Sequence, residues 1–251
     1  MKDYKASTYG DTYAAVYDLW YGEQDSARAK NLSDPDHVAR KVVELAEAGA
    51  VLELGIGSGR LAIAIDKMGL EVTGVDSSAL MLDLLRSKHD AKNISIVLDD
   101  MSKCSELEDN SYSVVLIGFN TFFNLTTRKS QQECIQTCAR VLKPKGKLII
   151  EAFVPVPQVT DHVSVRSMEV DELLLDAVKV DPINQTISGQ LVKMSTAGNQ
   201  FYPYLLRYCS PTEIDEMAVE SGFKLVERHQ DWLNNSFHEE SSKHVSVWQY
   251  L

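Results

Sequence analysis

Basic residues are scarce in this chain: 25 Lys and Arg stand against 36 Asp and Glu, giving a formal charge of −11 and a pI near 5.0. Such a chain repels a phosphate backbone, which argues against nucleic acid as a substrate. The one basic cluster, Lys143-Pro144-Lys145-Gly146-Lys147, reads as a solvated turn. No stretch approaches the ~20 apolar residues of a membrane span, and the first eight residues lack a hydrophobic run of signal-peptide length. A cytoplasmic protein with no membrane partner is expected, as monomer or homodimer. Cysteine is sparse too: Cys104, Cys134, Cys138 and Cys209 include no C-x-x-C pair, and Cys134 and Cys138 have no nearby histidine. Free buried thiols and no metal site follow.

With 251 residues, 44% of them hydrophobic, the chain can form one large domain, or one domain with a sizeable insertion. Apolar runs at 50–54, 71–76, 94–98, 113–118 and 147–153 alternate with helical patterns at 59–68, 78–88 and 128–142. That alternation predicts a doubly wound, mostly parallel sheet, whose ligands lie at the carboxyl ends of the strands. Ahead of it, tyrosines at 9, 13, 17 and 21 share one face of a helix, either packed on the domain or closing over a ligand. Asp34 and Pro35 start a further helix over 36–48. After Pro157, strand-like segments Val163–Val170, Leu173–Val180, Thr186–Met194 and Phe201–Tyr208 predict an antiparallel insertion. A helix from Pro211 to about Ser221 and strands Phe223–His229 and Val245–Tyr250 complete the chain. The division expected is 1–48 as a helical lid, 49–157 with 209–251 as a ligand-binding core, and 158–208 as a β lid.

Val51-Leu52-Glu53-Leu54-Gly55-Ile56-Gly57-Ser58-Gly59-Arg60 is a strand, an acid and a loop with glycine at alternate positions. Missing Cβ atoms let a ligand lie on the backbone. The dinucleotide spacing G-x-G-x-x-G fails at Arg60, and Glu53 would repel phosphate while attracting an ammonium. A nucleoside with a cationic amino-acid tail and no phosphate fits: S-adenosylmethionine. Asp76, ending the second strand, is placed to accept bonds from ribose hydroxyls. Ile117-Gly118-Phe119-Asn120-Thr121-Phe122-Phe123-Asn124 follows the fourth strand and mixes asparagines with aromatics, which suits a pocket near a sulfonium.

Tyr13-Ala14-Ala15-Val16-Tyr17-Asp18, the glycine loop, Asp76, Asp100-Met101 and Val141-Leu142-Lys143-Pro144-Lys145-Gly146 together resemble class I S-adenosylmethionine-dependent methyltransferases of the bacterial small-molecule type, over roughly residues 9–155. The resemblance implies a Rossmann-like seven-stranded sheet ending in an antiparallel hairpin, and S-adenosylmethionine as cofactor with S-adenosylhomocysteine as product. It places Asp100 near the adenine amino group and Met101 against the ring, with Asp99 standing where glycine is common. Cofactor-binding candidates are Tyr17, Tyr21, Glu53, Gly55, Ile56, Gly57, Gly59, Arg60, Asp76, Ser77, Met81, Asp100, Met101, Phe119 and Asn120. Acceptor-binding candidates are Tyr13, Phe122, Phe123, Tyr202, Tyr204 and Arg207.

Methyl transfer from a sulfonium needs alignment more than a base, although an amine acceptor must first lose a proton. Candidates at the reacting centre are Asn124, Glu151 and His244, with His229 and His238 nearby in sequence. The insertion resembles the lid of amino-sugar N-methyltransferases, where a histidine stands at the position of Asn124; asparagine takes no proton at neutral pH. The expected function is N- or O-methylation of a small organic molecule, in secondary metabolism. A nicotinamide-dependent oxidoreductase and a non-catalytic S-adenosylmethionine-binding module are the alternatives.

Overall fold

The computed structural model describes residues 1, 3–21, 32–156 and 160–251. Two sheets joined by an N-terminal helix make up the fold. The larger has seven strands: β1 (Val51–Leu54), β2 (Val72–Asp76), β3 (Ser95–Leu98), β4 (Tyr112–Ile117), β5 (Leu142–Phe153), β10 (Phe223–His229) and β11 (Lys243–Tyr250). Their order is β10-β11-β5-β4-β1-β2-β3. Strands β1 to β5 pair in parallel, and β11 runs antiparallel between β5 and β10. Strand order reverses at β1, flanked by β2 and β4, so the switch point where ligands collect is the carboxyl end of β1.

Both faces of this sheet are covered, which is why β1 is buried at every position and reads as a continuous apolar run. Helices α2 (Pro35–Ala46) and α3 (Arg60–Lys67) bury Val38, Val42, Leu61 and Ile65 against one face. On the other lie α5 (Arg128–Val141) and α6 (Pro211–Glu220), contributing Ile135, Cys138, Ile214 and Met217. The starts follow cap chemistry. Asp34 accepts the Asp36 N–H with Pro35 in the first turn, Ser78 accepts the Met81 N–H at the head of α4 (Ala79–Arg86), and Thr127 and Ser130 form a reciprocal capping box on α5. All of Cys104, Cys134, Cys138 and Cys209 are buried and unbridged. The Lys143–Lys147 turn is instead an exposed bulged start to β5, with Lys145 at φ 68°.

The smaller sheet is an antiparallel meander placed between β5 and α6: β6 (His162–Met168), β7 (Glu172–Asp181), β8 (Thr186–Ser195) and β9 (Gly198–Arg207). Its strand ends lie within three residues of the sequence reading, while the expected boundary at 157/158 falls outside the described residues. Asp181 closes the β7–β8 turn by accepting the N–H groups of Ile183 and Asn184 at 3.0 and 3.1 Å. Helix α1 (Thr8–Tyr21) ties the two sheets together. Its Tyr13 and Trp20 form a third apolar cluster with Met81 of α4 and Leu174, Leu191 and Tyr202 of the meander, and the Tyr13 hydroxyl donates to the Tyr202 carbonyl at 2.9 Å. Among the described residues no helix is long and apolar enough to cross a membrane.

Candidate active site

The glycine loop at the end of β1 uses each of its glycines for a different reason. All three have positive φ, 72° at Gly55, 55° at Gly57 and 82° at Gly59, a region that costs other residues roughly 1–2 kcal/mol. A Cβ on Gly57 would meet nothing within 4 Å, so its face is open to the cleft. One on Gly55 would strike Thr121 Cγ2 at 2.2 Å, and one on Gly59 would strike Leu85 Cδ1 at 2.2 Å. The missing Cβ of Gly59 therefore serves helix packing at the start of α3. The Ile56 side chain, expected at the cofactor, points away from the cleft. It is buried in the core, where a Cβ on Gly74 of β2 would come within 2.0 Å of its Cδ1.

Asp76, at the end of β2, holds the loop: Oδ2 accepts the Gly57 N–H and Oδ1 the Ser78 N–H, both at 2.9 Å. Burial raises its pKa against those backbone bonds. Around it, Gly55, Gly57, Ser77, Met81, Asp100 and Met101 line a cleft of about 90 Å³, joined by Tyr9 and Tyr17 of α1. Asp100 accepts the Ser102 N–H at 2.8 Å and its hydroxyl at 2.7 Å. Asp99, where the family commonly has glycine, accepts the N–H groups of Asp100 and Ser105 and so fixes the same turn by side-chain bonds.

Glu53 is buried behind the loop. Its Oε2 has no partner among the described residues. Burial, opposed by Arg60, pushes its pKa up to about 8. An unpartnered acid and an open glycine face fit a ligand with a cationic end lying against backbone. Arg60 itself turns away, donating to the Ser33 carbonyl at 2.6 Å in a groove outside the cleft.

Thr121 and Asn124 are shared between the cleft and a neighbouring cavity of about 490 Å³. Its walls are aromatic: Tyr13, Tyr17, Trp20 and Tyr21 from α1, Phe119 after β4, and Phe153 at the end of β5, with Tyr204 of the meander opposite. Asn120, His162, Arg166 and Asp176 supply polar groups to the same walls. Tyr21, Phe119 and Asn120, expected at the cofactor, thus lie on the cavity side. Phe119 and Asn120 have φ of 43° and 61°, strained for side-chain-bearing residues. The end of β5 holds them there: Glu151 Oε2 accepts the Phe119 N–H at 3.0 Å, its Oε1 accepts the Ser33 hydroxyl, and Asn120 Oδ1 accepts the Phe153 N–H at 2.7 Å.

Several expected site residues are structural. Both Glu151 oxygens are committed to that support, so it is no free base. His244 is fully buried on β11 with Nδ1 2.8 Å from the Ser246 hydroxyl; burial pushes its pKa down to about 3, and it lines neither cleft nor cavity. Phe122 and Phe123 are fully buried in the core, because the single turn Thr121–Asn124 directs them inward. Tyr202 packs under α1. Arg207 is buried in an ion pair with Glu213 at 2.7 Å, its guanidinium also donating to Gln131 and Gln185. The site residues missed from sequence include Tyr9, Thr121, Phe153, His162, Arg166 and Asp176. The available signal was the tyrosine face, to which Tyr9 belongs, and charged residues within a β-rich insertion.

A twisted parallel sheet with a glycine loop at its switch point, an acid ending β2 and an antiparallel final hairpin defines the Rossmann-like methyltransferase class. The chain matches the model of a methyltransferase domain over residues 51–146. In structure it is similar to the CcbJ methyltransferase from Streptomyces caelestis, with a TM-score of 0.88 and 36% identity, over 98% of this chain and 99% of that one. Among curated proteins it is 32% identical over 108 residues to a putative methyltransferase, YqeM, of Bacillus subtilis, 43% of each chain. It is 30% identical over 105 residues to a cypemycin N-terminal methyltransferase of a Streptomyces species, 42% of each. These alignments span less than half the length of the curated relatives. The chain belongs to the S-adenosylmethionine-dependent methyltransferases, for which S-adenosylmethionine is the methyl-donating cofactor.

Proposed function

We propose that this protein transfers a methyl group from S-adenosylmethionine to a nitrogen or oxygen of a small organic molecule of secondary metabolism. The observation that supports this reading is the adjacency of two spaces, a narrow cleft over the glycine loop and a large aromatic cavity, which share Tyr9, Tyr17, Thr121 and Asn124 as walls. In it, Gly57 gives the backbone approach, Asp76 and Asp100 receive hydroxyl and amino groups of the nucleoside, Ser77, Met81 and Met101 frame it, and Glu53 answers the cationic tail. When bound, the cofactor supplies an activated methyl carbon; the aromatic faces of Tyr17 and Phe119 favour its positive charge. Asn124 orients and does not exchange protons. Helix α1 and the meander are the lid over the acceptor. A chain of net charge −11 is assigned no nucleic-acid partner, and a cytoplasmic monomer or homodimer is the working form.

Titration of thermal stability tests the class. S-adenosylhomocysteine should stabilise the protein by about 2.7 kcal/mol at a hundredfold excess over Kd, and NAD should not. Stabilisation by NAD alone would move the protein to the oxidoreductases. Binding without transfer of label to any of a broad panel of acceptors would leave a non-catalytic module.

A further inference from the structure

We propose that the methyl acceptor is an amine and that His162, at the mouth of the aromatic cavity, receives the proton the amine must shed. The inference rests on the methyltransferase reading of the cleft and names the substrate class of that same site. Three carboxylates, Asp76, Asp100 and Asp176, line cleft and cavity among the described residues, against the single guanidinium of Arg166. One net positive charge on the cofactor leaves an acid excess, so an anionic acceptor is repelled and an ammonium is drawn in. The rings of Tyr17, Trp20, Tyr21, Phe119 and Phe153 reinforce that selection, because aromatic faces attract cations.

An ammonium has no lone pair and cannot attack until it loses a proton. Asp176 is a poor recipient: it is buried, Arg166 donates to its Oδ2 through Nε at 3.0 Å and through Nη2, and the Tyr204 hydroxyl donates to Oδ1 at 2.9 Å. Tyr204 lies flat over Gly189, where a Cβ would sit 1.9 Å from the ring, so the clamp on Asp176 is built into the sheet. Burial raises the tyrosines of the wall, Tyr13, Tyr17 and Tyr204, away from neutrality. Histidine is the remaining lining side chain whose kind exchanges protons near neutral pH. His162 Nδ1 lies 2.8 Å from the Thr160 carbonyl, which only accepts, so Nδ1 carries the hydrogen and Nε2 keeps its lone pair. The ring is exposed at the rim, where a captured proton passes to water. The charged groups around it are Asp161 just before β6, Arg166 on β6 and Asp176 and Lys179 on β7, with the N-terminal Met1 beside the same rim and the α1 tyrosines and Tyr204 opposite.

The balance is simple. The ammonium gives one proton to Nε2, the freed lone pair forms the nitrogen–carbon bond, and the carbon–sulfur bond breaks with its electrons returning to sulfur. The methylated amine and the neutral thioether S-adenosylhomocysteine leave.

Benzylamine and benzyl alcohol, near-isosteric probes, test this on protein saturated with S-adenosylhomocysteine. Calorimetry should find benzylamine bound about tenfold more tightly than the alcohol; equal affinities, or binding of neither, overturn the amine assignment. With S-adenosylmethionine, His162→Gln should slow methylation of benzylamine about 100-fold at neutral pH and recover toward the parent rate above the amine's own titration. An unchanged neutral-pH rate, or a deficit that persists at high pH, overturns the role of His162. Binding of S-adenosylhomocysteine, measured first in both proteins, separates these outcomes from failure of the methyltransferase reading.

Discussion

Gly57 and Gly59 share a motif and a positive φ, yet their surroundings differ. Gly57→Val puts a branched side chain into open cleft, so S-adenosylhomocysteine affinity should collapse while unfolding stability falls only by the strain of about 1–2 kcal/mol. Gly59→Val drives the side chain into Leu85 and should lower the melting temperature far more than Gly57→Val does. Equal loss of stability in the two variants would contradict the structure. Glu53 makes a second residue-scale prediction through pH. Its carboxyl keeps a proton in the fold up to about 8 but loses it near 4.5 when unfolded. Between those values the native state binds more protons, so stability falls as pH rises. Glu53→Gln removes that slope. Relative to the parent it should gain stability between pH 5 and 8, by at most about 5 kcal/mol, and the gain should vanish below the unfolded pKa. Urea titrations of both proteins across that range check it.

At the scale of elements, α1 is latched at two points over the cleft. The Ser78 hydroxyl donates to Asp11 at 2.7 Å and the Ser58 hydroxyl to Asp18 at 2.6 Å, with Lys88 paired to Asp18 at 2.8 Å. Tyr9, Gly10 and Tyr17 of α1 wall the cleft beneath, so these latches hold the element that covers it. Asp11→Ala with Asp18→Ala should therefore speed release of S-adenosylhomocysteine in stopped flow, by about tenfold for two such bonds, with little change in melting temperature; an unaltered off-rate would show that α1 does not gate the cleft. Arg207 illustrates the opposite case. It joins β9 to α6 through Glu213 in a buried pair, and Arg207→Ala should cost about 3 kcal/mol of stability without changing cofactor affinity.

For the whole molecule, α1 is the element shared by both sheets. Deleting residues 1–22 removes Tyr13 and Trp20 from the cluster that anchors Leu174, Leu191 and Tyr202. Hydrogen exchange should then show the seven-stranded sheet protected and the meander opened, with methyl transfer lost. The sequence alone determined the order of helices and strands, the parallel core and the meander, because periodicity and caps are local and each β–α unit has one favoured way to close. It also marked Gly57 and Asp76 as lining the cleft, since ligands collect at strand ends that the pattern locates, and the family resemblance added Asp100. Only the tertiary structure decided which side chains face the cavity. Phe122 and Phe123 turn into the core while Phe119, three residues before Phe122, lines the cavity; Arg207 pairs with Glu213 while Arg166 takes the wall; Glu151 and His244 are spent on support or burial. Those choices depend on contacts between segments distant in sequence, Ser33 with Glu151, Tyr13 with Tyr202, Asp76 with Gly57, and no local pattern encodes them.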